Sequence, residues 1–167
     1  MLESHNIFNN KKILIYGLGK SGLSASKFLK RNNKVIEYDD KKNKNYGKIR
    51  KIEFDYIILS PGIDINKCKL SNFLKKNYSK IHTDLDIFYS NYKNNYKITI
   101  TGTNGKSTTA KILYEVIKAQ KIDVRLVGNI GNPILSEKNI TNKTIFIIEA
   151  SSYQLTYSKL FKSNISM

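Results

Sequence analysis

The sequence contains little arginine for a strongly basic chain. Of its 29 basic residues only Arg31, Arg50 and Arg125 are arginine, and the formal net charge is +16. Proteins that read nucleic-acid bases favour arginine for its bidentate guanidinium group. No cluster of arginine and aromatic residues occurs along the chain. The positive charge therefore does not by itself indicate a nucleic-acid partner, and we expect none.

Cysteines and long apolar runs are also scarce. Cys68 is the single cysteine, so the chain forms no internal disulfide, and it has no neighbours at metal-ligand spacing. No apolar run reaches about 18 residues, the length that a membrane-spanning helix needs. The first ten residues are polar and lack the apolar core of a secretory signal. These absences predict a cytoplasmic protein without a membrane partner.

The composition and hydrophobic pattern predict an α/β fold. With 167 residues, 40% of them hydrophobic and 25% charged, the chain is long enough for one large domain or two small ones. Short apolar runs alternate with amphipathic segments, which is typical of βαβ units around parallel sheets. The polar segment Asn91–Tyr96 has no apolar period and is the expected boundary. We therefore expect a first domain at residues 1–91 and a second at residues 92–167.

The pattern also gives approximate element bounds. Strands are expected at Lys12–Tyr16, Lys34–Tyr38, Tyr56–Ser60, Lys80–His82, Lys97–Thr101, Asp123–Val127 and Thr144–Glu149. Helices are expected at Ser21–Arg31, Leu70–Tyr78, Asp84–Ser90 and Ser107–Gln120. Residues 41–51 fit a loop or a poorly formed helix. Residues 164–167 resemble the start of one more strand, so the second sheet is expected to be incomplete.

A glycine-rich turn follows the first expected strand. Residues 17–22 (GLGKSG) match G-x-G-x-x-G between a strand and a helix, the context in which this motif binds diphosphates. Gly17 permits the tight turn, Gly19 lets a diphosphate approach the backbone, and Gly22 allows close packing of helix on strand. Asp39 or Glu37 would hold a ribose hydroxyl. The pattern fits a dinucleotide or another nucleoside diphosphate, and a turn needed only for packing stays an alternative.

A second glycine loop carries the sharper signal. Residues 101–108 (TGTNGKST) again join a strand to a helix and end in Gly-Lys-Ser. In such loops the Lys106 ammonium reaches the β and γ phosphates and the Ser107 hydroxyl binds Mg²⁺. Only two residues separate Gly102 from Gly105, whereas the general P-loop has four between its glycines. This spacing disfavours a GTPase or an ordinary kinase.

Three further positions have more than one interpretation. Glu149 ends the most apolar strand, where a second metal ligand beside a phosphate loop is expected, although a solvent-exposed strand end is the alternative. Residues 128–133 (GNIGNP) form a glycine-flanked turn, which alone is only a turn. His82 and Cys68 are interpreted as structural or surface residues.

Taken together, the motifs resemble those of the ATP-dependent Mur ligases. The resemblance rests on TGTNGKST at residues 101–108, GNIGNP at residues 128–133 and EASSYQL at residues 149–155. GLGKSG at residues 17–22 and SPGI at residues 60–63 extend it over essentially the whole chain. The similarity is greatest to members that add D-glutamate to UDP-N-acetylmuramoyl-L-alanine in the synthesis of peptidoglycan precursors.

The resemblance implies a role for each motif residue. A Rossmann-like first domain would bind the UDP-substrate, and a P-loop-type central domain would bind ATP. The residues implied in substrate binding are Leu18, Lys20 and Ser21 at the diphosphate, Asp39, Asp40, Lys41 and Gly62 around the uracil and ribose, and Asn129 and Ser151 at the muramoyl-peptide part. Those implied at ATP are Gly102, Thr103, Asn104, Gly105, Lys106, Ser107 and Thr108. Ser107 and Glu149 would bind Mg²⁺, and Lys106 would be catalytic.

The resemblance also implies a reaction. ATP would convert the alanyl carboxylate to an acyl phosphate, and the amine of D-glutamate would then displace phosphate. Relatives continue with an Asp-His motif, a carbamylated lysine and a third domain, so the chain is expected to be the N-terminal part of a monomeric ligase. By itself it is expected to bind the UDP-substrate but not to catalyse the reaction. Alternatives are an NAD-dependent oxidoreductase, a folylpolyglutamate-type or other Mur-type ligase, and a non-catalytic UDP-sugar-binding fragment.

Overall fold

The computed structural model describes residues 6–42 and 46–167. These residues form two parallel four-stranded sheets, with strand orders β2-β1-β3-β4 and β6-β7-β5-β8. The first sheet consists of β1 (Lys12–Tyr16), β2 (Lys34–Tyr38), β3 (Tyr56–Leu59) and β4 (Ile81–His82). The second consists of β5 (Tyr96–Ile100), β6 (Val124–Gly128), β7 (Ile145–Glu149) and β8 (Ile165–Ser166). The predicted α/β class with parallel sheets is confirmed.

Six α-helices are found in the described part of the chain. They are α1 (Lys20–Leu29), α2 (Tyr46–Ile49), α3 (Ser71–Lys76), α4 (Asp84–Asn91), α5 (Lys106–Ala119) and α6 (Ser152–Tyr157). Two short 3₁₀ helices lie at Tyr78–Lys80 and Ile134–Ser136. None of the described helices is both long and apolar enough to cross a lipid bilayer.

The strands form because their apolar runs are covered on both faces. Residues 13–16 of β1 and residues 146–148 of β7 are fully buried, as expected for parallel sheets flanked by helices. Helix α1 is amphipathic and buries Ala25 and Leu29. Helix α5 packs Ala110 onto the second sheet.

Strand order places a crevice in each sheet. In the first sheet the chain leaves β1 toward β2 on one side and leaves β3 toward β4 on the other. In the second sheet it leaves β5 toward β6 on one side and β7 toward β8 on the other. Ligands of open α/β sheets bind where neighbouring strands send their connections in opposite directions. The two glycine loops, after β1 and β5, both lie at such positions.

An apolar core joins the two sheets. Ile134 and Leu135, from the connection after β6, are buried together with residues of α1 and α4. Phe88 of α4 packs edge-on against Phe146 of β7, with ring centroids 4.8 Å apart. Burial of this apolar surface favours one fixed arrangement of the two halves.

Several element bounds differ from the sequence predictions. Helix α1 ends at Leu29 rather than Arg31, because Lys30 is its C-cap and the chain then turns into β2. The predicted helix at 70–78 ends at Lys76, where the Asn77 side chain donates to the Phe73 carbonyl. Residues 46–49 of the uncertain segment form α2, because Ile49 is buried in the core beneath the first sheet. Residues 43–45 of that segment lie outside the described residues.

Helix α6 was not predicted. It is six residues long and has no clear apolar period. Its signal is a capping box, in which the side chain of Ser151 accepts from the Gln154 N–H and the side chain of Gln154 accepts from the Ser151 N–H. The S-x-x-Q spacing within EASSYQL is the sequence signal from which this helix start could have been recognised.

Candidate functional site

A cleft of about 730 Å³ lies between the two sheets. Its walls come from the loops that follow β1, β2 and β3 in the first sheet and β6 in the second. All of these loops leave the carboxyl ends of parallel strands, where ligands of such sheets bind. The predicted substrate residues found in the lining are Leu18, Lys20, Ser21, Asp39, Asp40, Lys41, Gly62 and Asn129.

The first glycine loop is built so that one glycine faces the cleft and another packs the fold. A Cβ on Gly22 would stand 1.8 Å from the Gly17 carbonyl oxygen, so this position must be glycine for α1 to lie close to β1. Gly17 has φ +95°, and its carbonyl accepts a 2.6 Å hydrogen bond from the Ser60 hydroxyl. A Cβ on Gly19 would meet nothing within 4 Å. Gly19 therefore leaves open space where a ligand can approach the backbone.

Asp39 holds this loop in place. Its carboxylate accepts hydrogen bonds from the Leu18 N–H at 2.8 Å and the Lys41 N–H at 3.0 Å. The Leu18 hydrogen bond is the main reason that the pKa of Asp39 lies below its usual value. Asp39 is therefore ionised at neutral pH and braces the loop while lining the cleft.

Asp40 connects the loop after β2 to β1 and to the chain segment that follows β3. Its carboxylate accepts from the buried Tyr16 hydroxyl at 2.8 Å and from the Lys69 N–H at 3.1 Å. Burial is the largest cause of a raised Tyr16 pKa, and hydrogen bonds to Cys68 and Asp40 add to it. The Tyr16 hydroxyl therefore stays protonated and donates to Asp40.

Glu37, the other candidate for a ribose hydroxyl, does not line the cleft. Its carboxylate accepts from the Lys30 ammonium at 2.6 Å and the Ser26 hydroxyl at 2.5 Å. These two donors lower the pKa of Glu37, the Lys30 hydrogen bond contributing most. The structure thus separates Glu37, which bonds to α1, from Asp39, which lies in the cleft.

The second glycine loop surrounds the Lys106 ammonium. The ammonium donates to the Gly102 carbonyl at 2.6 Å and the Thr103 carbonyl at 3.2 Å. Gly102 has φ +136° and Gly105, the N-cap of α5, has φ +76°. These left-handed conformations favour glycine. Residues 102–105 and 107–108 are exposed, so the loop is open to an incoming phosphate.

Ser107 and Glu149 lie side by side. The Ser107 hydroxyl donates to a Glu149 carboxylate oxygen at 2.7 Å. Glu149 is only 5% exposed, so the alternative of an ordinary solvent-exposed strand end is wrong. In residues 6–42 and 46–167, no three His, Cys, Asp or Glu side chains gather into a metal-binding group. The pair instead suits Mg²⁺, which often takes one or two protein ligands and completes its shell with phosphates and water.

Asn129 connects the cleft to Glu149. It lines the cleft, and its N–H donates to the Glu149 carbonyl at 2.9 Å. A Cβ on the neighbouring Gly128 would stand 2.2 Å from that same carbonyl oxygen, so glycine is needed for this close approach. The turn at 128–133, which the pattern alone marked only as a turn, thus borders both sites.

Ser151 is the predicted substrate residue that is absent from the cleft lining. Its hydroxyl accepts from the Gln154 N–H at 3.1 Å and caps α6. Cys68 is half-buried and lines the cleft. His82 is buried, with Nδ1 2.7 Å from Asp86. The interpretation of His82 as a structural residue agrees with this buried position.

A buried polar cluster that the sequence pattern does not reveal lies between the two halves of the chain. Asp84 and Asp86 of α4 are at most 3% exposed. Asp84 bonds to Gln154 within α6, and Asp86 bonds to residues that follow α6. Their only signal in the sequence is that two carboxylates interrupt the otherwise apolar helix at 84–90.

Known proteins of similar sequence point to one group of enzymes. Residues 100–166 match the Mur ligase middle domain. Proteins named UDP-N-acetylmuramoylalanine–D-glutamate ligase are similar to the chain over most of its length. The one from Rickettsia felis is 34% identical over 97% of this chain and 38% of its own length. The one from Aquifex aeolicus is 38% identical over 92% of this chain and 37% of its own length.

A solved structure supports the fold. UDP-N-acetylmuramate:L-alanyl-gamma-D-glutamyl-meso-diaminopimelate ligase from Neisseria meningitides aligns with a TM-score of 0.50 and 15% identity. The alignment covers 84% of this chain and 52% of that protein. At this identity the match concerns the fold alone. Together, these matches show that residues 100–166 resemble the Mur ligase middle domain and that the chain is similar to Mur ligases, at 34–38% identity, over most of its length.

Proposed function

We propose that the chain supplies the substrate cleft and the ATP loop of an ATP-dependent ligase that joins D-glutamate to UDP-N-acetylmuramoyl-L-alanine in the cytoplasm. The chain spans 38% of the length of the Rickettsia felis relative, so the complete activity is an inference from the relatives' names. The observation that carries the proposal is the position of Asn129, which lines the cleft and bonds to Glu149 beside the Lys106 loop.

The cleft fits a nucleoside diphosphate attached to a sugar. Gly19 leaves space at the N-terminus of α1, where the first N–H groups of a helix and its dipole favour an anion. Lys20 adds a positive charge at the same rim. The volume of about 730 Å³ falls within the range of small-molecule sites. We propose residues 1–91 as the domain that binds UDP and residues 92–167 as part of the central ATP-binding domain.

The second loop fits ATP and Mg²⁺ by its donor set. Lys106 now donates to two loop carbonyls, and phosphate oxygens are stronger acceptors because they are charged. Ser107 and Glu149 present a hydroxyl and a carboxylate, the hard oxygen ligands that Mg²⁺ prefers. Bound Mg²⁺ would neutralise part of the negative charge of the phosphates.

The chemical difficulty of the proposed reaction is repulsion between anions. An alanyl carboxylate must approach a triphosphate before it is activated as an acyl phosphate and attacked by the amine of D-glutamate. Lys106 would stabilise the charge that shifts between the phosphates, since its own loop holds the ammonium in advance. Glu149 would orient Ser107, and Asn129 would hold the substrate's reactive end on the same side.

The first test is binding by the 167-residue chain. Calorimetric titration is expected to show binding of UDP and of UDP-N-acetylmuramoyl-L-alanine, and no binding of NAD. Tighter binding of NAD than of UDP would favour the oxidoreductase alternative and overturn the proposal.

The second test concerns the Lys106 loop in a chain completed to the length of its relatives. Lys106→Ala is expected to lower D-glutamate-dependent ADP formation by about 10²–10³-fold, the usual loss for one preorganised charged group. Binding of the UDP-substrate should change little. Lys111→Ala, on the exposed face of the same helix, is the matched control. Retention of more than about a tenth of the activity in Lys106→Ala would exclude this loop as the ATP site.

A further inference from the structure

Asp84 and Gln154 form a buried hydrogen bond between the two halves of the chain. The Gln154 Nε2 donates to an Asp84 carboxylate oxygen at 3.0 Å, across 70 residues of sequence. Asp84 is 3% exposed and Gln154 is 1% exposed. A buried carboxylate is costly unless it is hydrogen-bonded. The contact is therefore an essential part of this interface rather than a surface pairing.

The polarity of the Gln154 amide makes this contact directional. Its nitrogen can only donate and its oxygen can only accept. Because Asp84 accepts from Nε2, Oε1 faces Ser151, where it accepts from the Ser151 N–H at 3.1 Å. With the amide reversed, an NH₂ group would face that N–H and the hydrogen bond would be lost. Asp84 thus selects the orientation in which Gln154 completes the capping box of α6.

The capped turn is connected to the cleft wall by one hydrogen bond. It comprises residues 149–151, from the last residue of β7 to the N-cap of α6. Glu149 begins it, and the Glu149 carbonyl accepts from the N–H of Asn129, which lines the cleft. A continuous set of hydrogen bonds and backbone therefore runs from Asp84 in the first half to the wall of the cleft in the second.

A second carboxylate fixes the other end of α6. Asp86 is fully buried and accepts from the Ser158 hydroxyl at 2.7 Å and the Leu160 N–H at 2.8 Å. Helix α4 therefore holds α6 at its beginning through Asp84 and just beyond its end through Asp86. Of these two contacts, the one through Asp84 involves the turn that is hydrogen-bonded to Asn129 in the cleft wall.

We propose that Asp84 is a positioning residue which, through Gln154, sets the turn at residues 149–151 and with it the second half's wall of the substrate cleft. This inference rests on the proposed function, because it assigns the muramoyl-bearing part of the substrate to that wall. In that proposed function UDP itself would contact mainly loops of the first half, which supply most of the cleft lining. Loss of the Asp84–Gln154 hydrogen bond should therefore weaken binding of the sugar-peptide part more than binding of UDP.

The experiment compares two affinities on the 167-residue chain. Calorimetry gives the ratio of the Kd for UDP to the Kd for UDP-N-acetylmuramoyl-L-alanine, which measures what the muramoyl-alanyl part contributes. Gln154→Glu removes the donor and places two carboxylates together, so this ratio is expected to fall by about tenfold. The Kd for UDP should change by less than about threefold.

Two further variants separate positioning from general stability. Adding Asp84→Asn to Gln154→Glu restores the hydrogen bond in the opposite direction, because the amide at position 84 can donate to the carboxylate at position 154. The double variant is therefore expected to recover most of the wild-type Kd ratio. Thr83→Val is the matched control, because Thr83 is also buried and its hydroxyl bonds to Ser158 rather than to the turn. The ratio should stay at the wild-type value in Thr83→Val.

The outcomes are distinct for the two proposals. An unchanged ratio in Gln154→Glu, or a double variant no better than Gln154→Glu, would overturn the positioning role. A wild-type chain that binds neither ligand would overturn the proposed function. In that case the positioning role is decided by hydrogen exchange of the Ser151 and Gln154 backbone amides, which needs no ligand. Faster exchange in Gln154→Glu that the double variant reverses would support the positioning role. Unchanged exchange would refute that role.

Discussion

Gly19 and Gly22 lie in the same loop but are predicted to respond to substitution in opposite ways. Gly19 has φ −75° and ψ −173°, an extended conformation that any residue adopts, and a Cβ there meets nothing within 4 Å. Gly19→Val should therefore fold, with a loss of stability limited to the poorer N-cap preference of valine, about 1 kcal/mol or less. The added side chain would occupy the space in which the diphosphate is proposed to approach the backbone.

The size of the effect follows from the cost of overfilling a packed site. Such overlap costs about 1–3 kcal/mol, which corresponds to a loss of roughly 5- to 150-fold in affinity for UDP. Gly22→Ala is the contrasting variant, because its Cβ would stand 1.8 Å from the Gly17 carbonyl oxygen. That clash must be relieved by moving α1 away from β1. A destabilisation of about 1–3 kcal/mol would lower the melting temperature by roughly 2–12 °C for a chain of this size.

The assay is thermal unfolding and UDP calorimetry on both variants. Gly19→Val should lose affinity with only a small loss of stability, and Gly22→Ala should lose more stability. Gly19→Ala, with a smaller side chain, should lie between Gly19→Val and the wild type in affinity. Wild-type affinity in a folded Gly19→Val would refute the placement of the diphosphate at this loop.

Two further predictions concern ionised groups. Glu149→Gln keeps an acceptor for the Ser107 hydroxyl but removes the negative charge. The affinity for ATP in the presence of Mg²⁺ should therefore fall by about tenfold or more and recover in part as the Mg²⁺ concentration is raised. An ATP affinity that does not depend on Mg²⁺ would contradict a metal role. Burial opposes ionisation of Asp86, but hydrogen bonds from His82, Ser158 and the backbone lower its pKa to about 2. This pKa lies below the value of about 3.9 in the unfolded chain. The ionised Asp86 therefore contributes about 2 kcal/mol to the free energy of unfolding, which is present above pH 4 and is lost as the pH falls toward 2. Asp86→Asn should therefore lower the unfolding midpoint at pH 7 and flatten its decrease below pH 4, whereas an equal decrease in both proteins would count against the argument. Asp84 has the opposite sign, since burial raises its pKa and acidification therefore relieves the cost of its charge.

Local pattern was sufficient for most of the fold. The bounds of β1 and β2 agree with the prediction, and those of β5, β6 and β7 agree within one residue. Buried parallel strands are short continuous apolar runs, and this signal does not depend on distant residues. The glycine loops were recognisable for a similar reason, because their conformation depends on a few adjacent residues. Helix α6 was missed because a six-residue helix has too few turns to show a period.

For the candidate site, the sequence identified residue types and the tertiary structure decided their partners. The pattern left Asp39 and Glu37 as equal candidates, and packing separated them, since Glu37 bonds to Lys30 and Ser26 of α1. It likewise left Glu149 open between a metal ligand and a solvated strand end. Burial excludes the solvated strand end, and the hydrogen bond comes from Ser107, which is 42 residues away in sequence.

The contacts between the two halves were beyond any local signal. Asp84 and Asp86 look in the sequence like ordinary polar positions of a short helix, yet both are buried against residues 70 to 75 positions away. A hydrogen-bond partner at that distance is fixed only when sheets and helices have packed, because the free energy of burying a carboxylate depends on which donors surround it. The sequence by itself determined the strands and the two phosphate-type loops, and only the folded arrangement decided which carboxylates face a cleft and which hold its walls together.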